Sequence, residues 1–216
     1  VLPSGQYTVV VTAHNAAGTG KPAKYALRLA GKPTAPNLAG ADLSGANLSG
    51  RNLAGGILTS ADFSNADLSG ANLSGTNLAG ANAAVASLRD ANLSGAYATG
   101  ANFSGADLSS ADLGHVSLSG ANLTGADLTG ADLTGASLTD ANLTGVNLTD
   151  SEMTNTRLNG TILTGATLAG VSSGGIGGTP TDVPVLSRWA KGLMIVQALI
   201  SLTTIAILAA RAVNIL

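Results

Sequence analysis

The stretch ADLTGADLTGASLTDANLTG, residues 126–145, repeats nearly the same five letters four times, with leucine at the centre of most units. On an α-helix five residues advance by about 500°, so leucines at this spacing would spread over every side of the helix. On a flat strand an odd period would send successive leucines to opposite faces. A single buried face therefore requires the chain to turn a corner in each unit, and four such corners close a square coil with leucine at its axis.

The same period continues far beyond this stretch. From residue 38 to residue 168 it runs through 27 units without an insertion or a deletion, and 22 of the central residues are leucine. Alanine stands two positions before the centre in 18 units, and glycine stands two positions after it in 18. Because glycine and small polar residues adopt tight corners readily, the pattern predicts a column of leucines packed beside alanine.

The repeated pattern A-(D/N)-L-x-x over residues 36–170 resembles the pentapeptide-repeat family. The resemblance implies an all-β fold, a right-handed quadrilateral parallel β-helix of about seven coils. With about 4.8 Å between stacked strands, the coils would form a rod roughly 32 Å tall.

The exceptions to leucine support a coil of four units. Phe63, Ala83 and Phe103 are central residues spaced by twenty positions, so a square coil stacks them on one side. The small Ala83 would then make room for the two phenylalanines, as close packing requires. We predict that these residues form a core column that continues through Leu123 and Leu143.

The rod offers little for catalysis. The chain has no cysteine, its two histidines lie in different segments, and no nucleophile stands near a base in the pattern. Asp112, Asp132 and Glu152 are spaced by twenty residues and predict a ladder of like charges, and Asp107 and Asp127 predict a second. The ladders are either a calcium site or a solvated acidic face. We therefore expect no catalytic residue, no cofactor and no resident metal ion, and a protein that is not an enzyme.

The N-terminal segment, residues 1–35, has a different pattern. GQYTVVVTAHNAAGTGKPAKYALRL, residues 5–29, shows two extended runs around a turn and predicts a β-hairpin. Its positions Tyr7, Val9 and Val11 resemble the end of a fibronectin type III domain. The hairpin is either the remainder of such a domain or a cap for the open end of the coil.

The C-terminal residues predict a membrane anchor. Residues 171–183 are rich in glycine and serine and indicate a linker, and residues 184–216 then predict an interfacial segment and a transmembrane helix. Between Lys191 and Arg211 the chain has no charged residue for a length that can cross a bilayer. The predicted interfacial anchors are Arg188, Trp189, Lys191 and Arg211. The letters VPVLSRW also resemble the start of bacterial C-terminal sorting tails.

One stripe of the predicted helix is polar. Gln197, Ser201 and Thr204 share a helix face, and polar side chains inside lipid favour contacts between helices. The partners expected on this basis are membrane lipid and other membrane-protein subunits, reached through the helix and the rod surface, with no nucleic acid. The expected localisation is that of a single-pass membrane protein with the β-helix outside the cytoplasm, in the periplasm or on the cell surface.

Three functions are compatible with these features. The first is a membrane-anchored, non-catalytic scaffold that presents a rigid rod, as an accessory subunit of a larger membrane complex. The second is a cell-surface protein sorted by its C-terminal tail. The third is a DNA-mimicking pentapeptide protein of the kind that binds gyrase, a class that needs a dense acidic surface. We favour the first, because the eleven carboxylates of residues 36–170 are opposed by three arginines and give that segment only a moderate net charge.

Overall fold

The structure, a computed structural model, describes residues 8–12, 24–28, 35–175 and 177. Within those ranges there is no helix with the length and apolar character needed to cross a membrane. The predicted transmembrane segment 184–216 lies outside the described residues. So do the residues predicted to anchor it or to line its interface, which are Arg188, Trp189, Lys191, Gln197, Ser201, Thr204 and Arg211.

Two short strands form a hairpin near the N-terminus. Strand β1 (Thr8–Thr12) pairs with strand β2 (Lys24–Arg28) in an antiparallel register that places Val10 opposite Ala26. Each strand is five residues long.

The repeat folds as a four-sided coil of parallel bridges. In each unit the residue before the centre pairs with its counterpart twenty residues later, from the pair of Asn37 with Ile57 to the pair of Arg157 with Gly177. The square coil predicted from the five-residue period is therefore confirmed. We name its sides by their first central residues. Sides 1, 2, 3 and 4 begin at Leu38, Leu43, Leu48 and Leu53, and each recurs every twenty residues along the chain.

Backbone hydrogen bonds join the coils on every side. The N–H of Leu123, for example, donates to the Asn142 carbonyl at 2.8 Å, and the N–H of Asn142 donates to the Ala121 carbonyl at 2.9 Å. Within each corner, an amide such as that of Ala126 donates to the preceding centre, the Leu123 carbonyl, at 3.0 Å. Since both bonds recur in each coil, the register between coils is fixed by the backbone.

The core is an axial column of central residues flanked by alanine. On side 2 the structure places Phe63, Ala83, Phe103, Leu123 and Leu143 in the interior, none of them more than 2% exposed. Burying one leucine side chain contributes about 1.5–3 kcal/mol, so the column stabilises a rod that has few aromatic residues.

In the last coils, polar residues occupy interior positions that hold alanine in most units, and their side chains are hydrogen-bonded. The buried hydroxyls of Thr156 and Thr161 donate to the carbonyls of Leu133 and Leu138 at 2.9 and 2.8 Å. Among the described residues, no buried side-chain nitrogen or oxygen is left without a partner. The interior therefore accepts a hydroxyl where a coil carbonyl is within reach.

Corner residues adopt the left-handed conformation that favours glycine. Nine corners nevertheless hold other residues, mainly Asp, Asn and Ser, which tolerate this region. Val85 is an unfavourable case, because a β-branched residue is strained at its φ of 58°. The side chains of such residues lean over the following coil, as that of His115 does over Gly135.

We predict that Ala83→Leu destabilises the rod by about 1–3 kcal/mol. The larger side chain would overfill a column that already holds Phe63 and Phe103 one coil away on either side. The free energy of unfolding, measured by urea denaturation, tests this. Leu123→Met conserves the buried volume in the same column and is the matched control. Equal stability of Ala83→Leu and the wild-type chain would contradict the column.

Substitutions at two corner glycines distinguish the energetic cost of the left-handed backbone conformation from the cost of a steric clash. A Cβ at Gly135 would lie 2.5 Å from Nδ1 of His115, whereas a Cβ at Gly120 would meet nothing within 4 Å, and both residues have a φ near +67° (+69° and +66°). Gly120→Ala should therefore lose only the conformational preference, about 1 kcal/mol. Gly135→Ala should lower the melting temperature further, because His115 must move. Adding His115→Ala should restore Gly135→Ala to the level of Gly120→Ala, and failure of that rescue would refute the steric explanation.

Candidate functional site

The carboxylates of the rod are concentrated on one part of its surface. Eight of the eleven lie on sides 3 and 4 and on the corner between them. We call this group the acidic edge, and its members are Asp67, Asp90, Asp107, Asp112, Asp127, Asp132, Asp150 and Glu152.

The coil geometry stacks these carboxylates in two columns. Asp107 bridges to Asp127 on side 3, and on side 4 Asp112 bridges to Asp132, which bridges to Glu152. Adjacent members therefore stand one strand spacing apart, about 4.8 Å. Asp90 and Asp150 occupy the corner between the columns and have positive φ. The sequence predicts the two columns but not the corner carboxylates that join them into one surface, although the twenty-residue period fixes the positions of these carboxylates as well.

A local turn holds each aspartate of the columns in place. In Asp127, Oδ1 accepts the Thr129 N–H at 3.0 Å and the Thr129 hydroxyl at 2.5 Å. Asn142 makes the equivalent bonds with Thr144, at 3.0 and 2.6 Å. The turn thus needs only one side-chain oxygen, so aspartate and asparagine serve it equally well. Charge on sides 3 and 4 is therefore not a requirement of the fold.

Side 2 uses asparagine for a different purpose. The Nδ2 group of Asn82 donates to Oδ1 of Asp62 at 2.9 Å, Asn102 donates to Asn82 at 2.9 Å, and Asn122 donates to Asn102 at 3.2 Å. This amide ladder joins successive coils through side chains. It could not be predicted from the sequence, because the direction of donation depends on side-chain orientation.

One ion pair lies on the acidic edge among the described residues. The Nη2 group of Arg89 is 2.9 Å from Oδ2 of Asp107. Burial raises the pKa of the Asp107 carboxyl, but hydrogen bonds from Ser109 and Arg89 and the charge of Arg89 outweigh it and hold that pKa below its ordinary value. The hydroxyl and amide of Ser69 likewise lower the pKa of Asp67. Both carboxyls are therefore ionised at neutral pH.

Side 1 has a different character. Its outward positions include Ile57 and Tyr97, which are 46% and 62% exposed, and Arg157 near the C-terminal end of the rod. Opposite surfaces of the rod thus differ in charge and in polarity.

The structure was compared with the geometry that a metal centre requires. Within residues 35–175, no group of three or more His, Asp or Glu side chains has an arrangement that could hold a metal ion.

Comparison with known proteins identifies relatives of the rod. A family model described as pentapeptide repeats matches residues 37–75, 52–82, 86–125 and 126–165, more than half of the chain. No curated protein gives a significant match. Neither the family model nor the similar structures indicate an enzyme family. These matches do not test the resemblance of the N-terminal hairpin to a fibronectin type III domain.

Several solved structures are similar to the chain. One is a trypsin-treated variant of QnrB1, a plasmid-mediated fluoroquinolone resistance protein, with 28% identity over 66% of this chain and 72% of that chain and a TM-score of 0.62. A second QnrB1 variant has the same identity and coverage with a TM-score of 0.50. A pentapeptide repeat protein from the thylakoid lumen of Arabidopsis thaliana is 38% identical over 45% of this chain and 68% of that chain, with a TM-score of 0.44.

These similarities correct the prediction of partners. We expected membrane lipid and other membrane-protein subunits as partners, and no nucleic acid. This expectation is wrong, because the similar structures are those of a fluoroquinolone resistance protein. They favour the kind of partner expected for the third function of the sequence analysis, that of a DNA-mimicking pentapeptide protein. The error has a physical cause. The net charge of residues 36–170 is an average, and it concealed the concentration of carboxylates on one edge.

Proposed function

The chain belongs to the pentapeptide-repeat family, whose members fold as right-handed quadrilateral β-helices, and we propose that its rod binds a DNA-handling protein through the acidic edge. The rod is a non-catalytic scaffold in this role. The observation that carries the proposal is the placement of eight carboxylates on two adjacent sides and their shared corner.

The acidic edge presents negative charge in rows, which is the feature of DNA that a protein can bind without reading the base sequence. Half to two-thirds of protein–DNA hydrogen bonds go to phosphate and sugar, and they position the protein without specifying bases. Lysine and arginine side chains arranged for phosphates can therefore contact columns of carboxylates instead. Carboxylates spaced by about 4.8 Å are less dense than the phosphates of one DNA strand at 3.4 Å, so several coils must act together.

The rigidity of the edge favours such binding. Asp127 is held by Thr129, and Asp112 accepts the Gly114 N–H at 2.9 Å, so these carboxylates are oriented before a partner arrives. Preorganisation reduces the entropy lost on association. Electrostatic complementarity also accelerates encounter with a positively charged surface, and salt weakens that effect.

We predict that the full chain inhibits supercoiling by purified DNA gyrase, and that Asp112→Asn, Asp132→Asn and Glu152→Gln together weaken binding at least about tenfold. These substitutions keep the side-chain oxygen that the turn uses, so the melting temperature should be retained. The matched control removes three carboxylates outside the edge, by Asp42→Asn, Asp62→Asn and Asp140→Asn. Equal losses in the two triple variants, or no interaction with gyrase in low salt, would refute the proposal.

A second candidate function is favoured by the C-terminal sequence. The uncharged stretch between Lys191 and Arg211 supports a single-pass anchor that holds the scaffold outside the cytoplasm, as a cell-surface protein. This arrangement would separate the rod from cytoplasmic DNA-handling proteins. Fractionation of the producing cells, with protease added to intact cells, distinguishes the two candidates. Recovery in the membrane fraction with a protease-sensitive rod supports the anchor, and recovery in the cytosol refutes it.

A further inference from the structure

Side 1 lacks, in most of its units, the turn that stabilises the other sides. In that turn an Asp or Asn at the outward position, the one before the centre, accepts the N–H two residues later, as Asn142 does from Thr144. On side 2 the outward positions from 42 to 162 hold Asp or Asn with the exception of Ile162. On side 1 the outward positions from 37 to 157 hold Asp or Asn only at Asn37 and Asn77. Departures from a local rule concentrate where a structure has another task.

The residues that replace Asp and Asn on side 1 include two exposed anchors. Three large apolar or aromatic side chains are exposed in the described part of the chain, namely Ile57, Val85 and Tyr97. Two of them share one column, because Ile57 bridges to Asn77 and Asn77 bridges to Tyr97. Ile57 and Tyr97 therefore stand about 9.6 Å apart with Asn77 between them. An aromatic and an aliphatic side chain at this spacing are suited to a protein contact, in which aromatic residues are enriched.

The surface around these anchors carries no charge. From 37 to 137 the outward positions of side 1 hold neither an acidic nor a basic residue, and the positions that follow each centre, from 39 to 139, hold only Ala, Ser and Thr. Two copies of the acidic edge would repel each other, whereas two copies of side 1 approach without such repulsion. The charge distribution therefore favours a second copy of the chain as the partner of side 1.

The order of residues along the column is self-complementary. Most protein dimers have a twofold axis, so that the same surface of both copies forms the contact. With that axis in the contact plane at the level of Asn77, the second copy runs antiparallel and each Ile57 faces the other copy's Tyr97. Asn77 then meets its own equivalent. Its Oδ1 accepts the Ala79 N–H at 3.1 Å, and its Nδ2 has no acceptor among the described residues, so each amide can donate to the other.

We propose that side 1 packs against side 1 of a second copy in this antiparallel arrangement. The outward residues from Asn37 to Ser117 span about 19 Å, and a side three residues wide is about 10 Å across. This area, about 200 Å2 per copy, is well below the roughly 800 Å2 per partner of a stable complex. The dimer is therefore reversible, with a Kd between about 1 µM and 1 mM. The inference is independent of the proposed function, because the acidic edge takes no part in the contact.

Disulfide cross-linking of the full-length chain tests the position of the axis. The chain contains no cysteine, so an introduced cysteine reports only its own contacts. In Asn77→Cys the two thiols meet at the axis, and mild oxidation should yield a disulfide-linked dimer. Ser117→Cys is the matched control on the same side. Its two copies would lie about 19 Å apart, and a disulfide requires Cα atoms within about 7 Å, so this variant should stay monomeric.

Removal of the anchors tests the packing without loss of the fold. Ile57→Asn and Tyr97→Asn, added together to Asn77→Cys, supply the side-chain oxygen that the turn uses, so the melting temperature should be retained. They should weaken dimerisation at least about tenfold, because buried aromatic anchors dominate small contacts. Val85→Asn in the same background removes the third exposed apolar side chain, which lies at a corner outside side 1, and should leave cross-linking unchanged.

Three outcomes would overturn the proposal. Absence of a cross-link in Asn77→Cys, with the melting temperature retained, would show that no second copy meets this position. Equal cross-linking of Asn77→Cys and Ser117→Cys would show parallel or unspecific contact. Cross-linking that survives Ile57→Asn and Tyr97→Asn would show that another surface joins the copies.

Discussion

The hydrogen bonds between successive coils are the constraint on which the rest of the structure depends. Each side contributes an amide that donates forward, as Leu123 does to Asn142, and one that donates backward, as Asn142 does to Ala121. Both bonds require that equivalent residues stand twenty positions apart. An inserted residue would move every later leucine away from the axis, which explains a register without insertions over 27 units. Packing at the axis then determines residue size, since a column with Phe63 and Phe103 places Ala83 between them.

Because the backbone fixes the register, the outward positions are released from most structural requirements. The turn at Asp127 uses a single side-chain oxygen, and Asn142 satisfies the same turn. The choice between the acid and the amide therefore changes the surface potential at little cost to the fold. Side 2 uses the amide to join coils, through the bond from Asn102 to Asn82, whereas sides 3 and 4 carry charge. A scaffold of this kind separates the residues that stabilise it from those that a partner would contact.

The sequence predicted the parts of the structure that depend on periodicity alone. The square coil, the interior position of leucine and the vertical alignment of Asp112 with Asp132 all follow from counting residues in fives and twenties. Features that depend on side-chain direction could not be obtained in this way. The amide ladder on side 2 and the contact of His115 with Gly135 both require a rotamer as well as a position. The acidic edge lies between these cases. Its columns follow from the twenty-residue period, but the net charge of the whole rod does not reveal that eight carboxylates share one edge.

The coils at the ends of the rod are stabilised by fewer neighbours than the coils in its middle. In a protein whose repeats contact only their neighbours, an interior coil is stabilised on two faces and a terminal coil on one. The side-chain bonds of the interior, such as those of Thr156 and Thr161 to earlier coils, add to this difference. Substitutions on the acidic edge act on coils that are held from both directions, so they can alter binding without unfolding the rod. The first coil is held from one direction only among the described residues, because its outer donors and acceptors at Asp42, Asn47 and Asn52 lack partners there. Because a terminal coil is held from one direction only, the stability of the array is more sensitive at an end of the rod than in its middle.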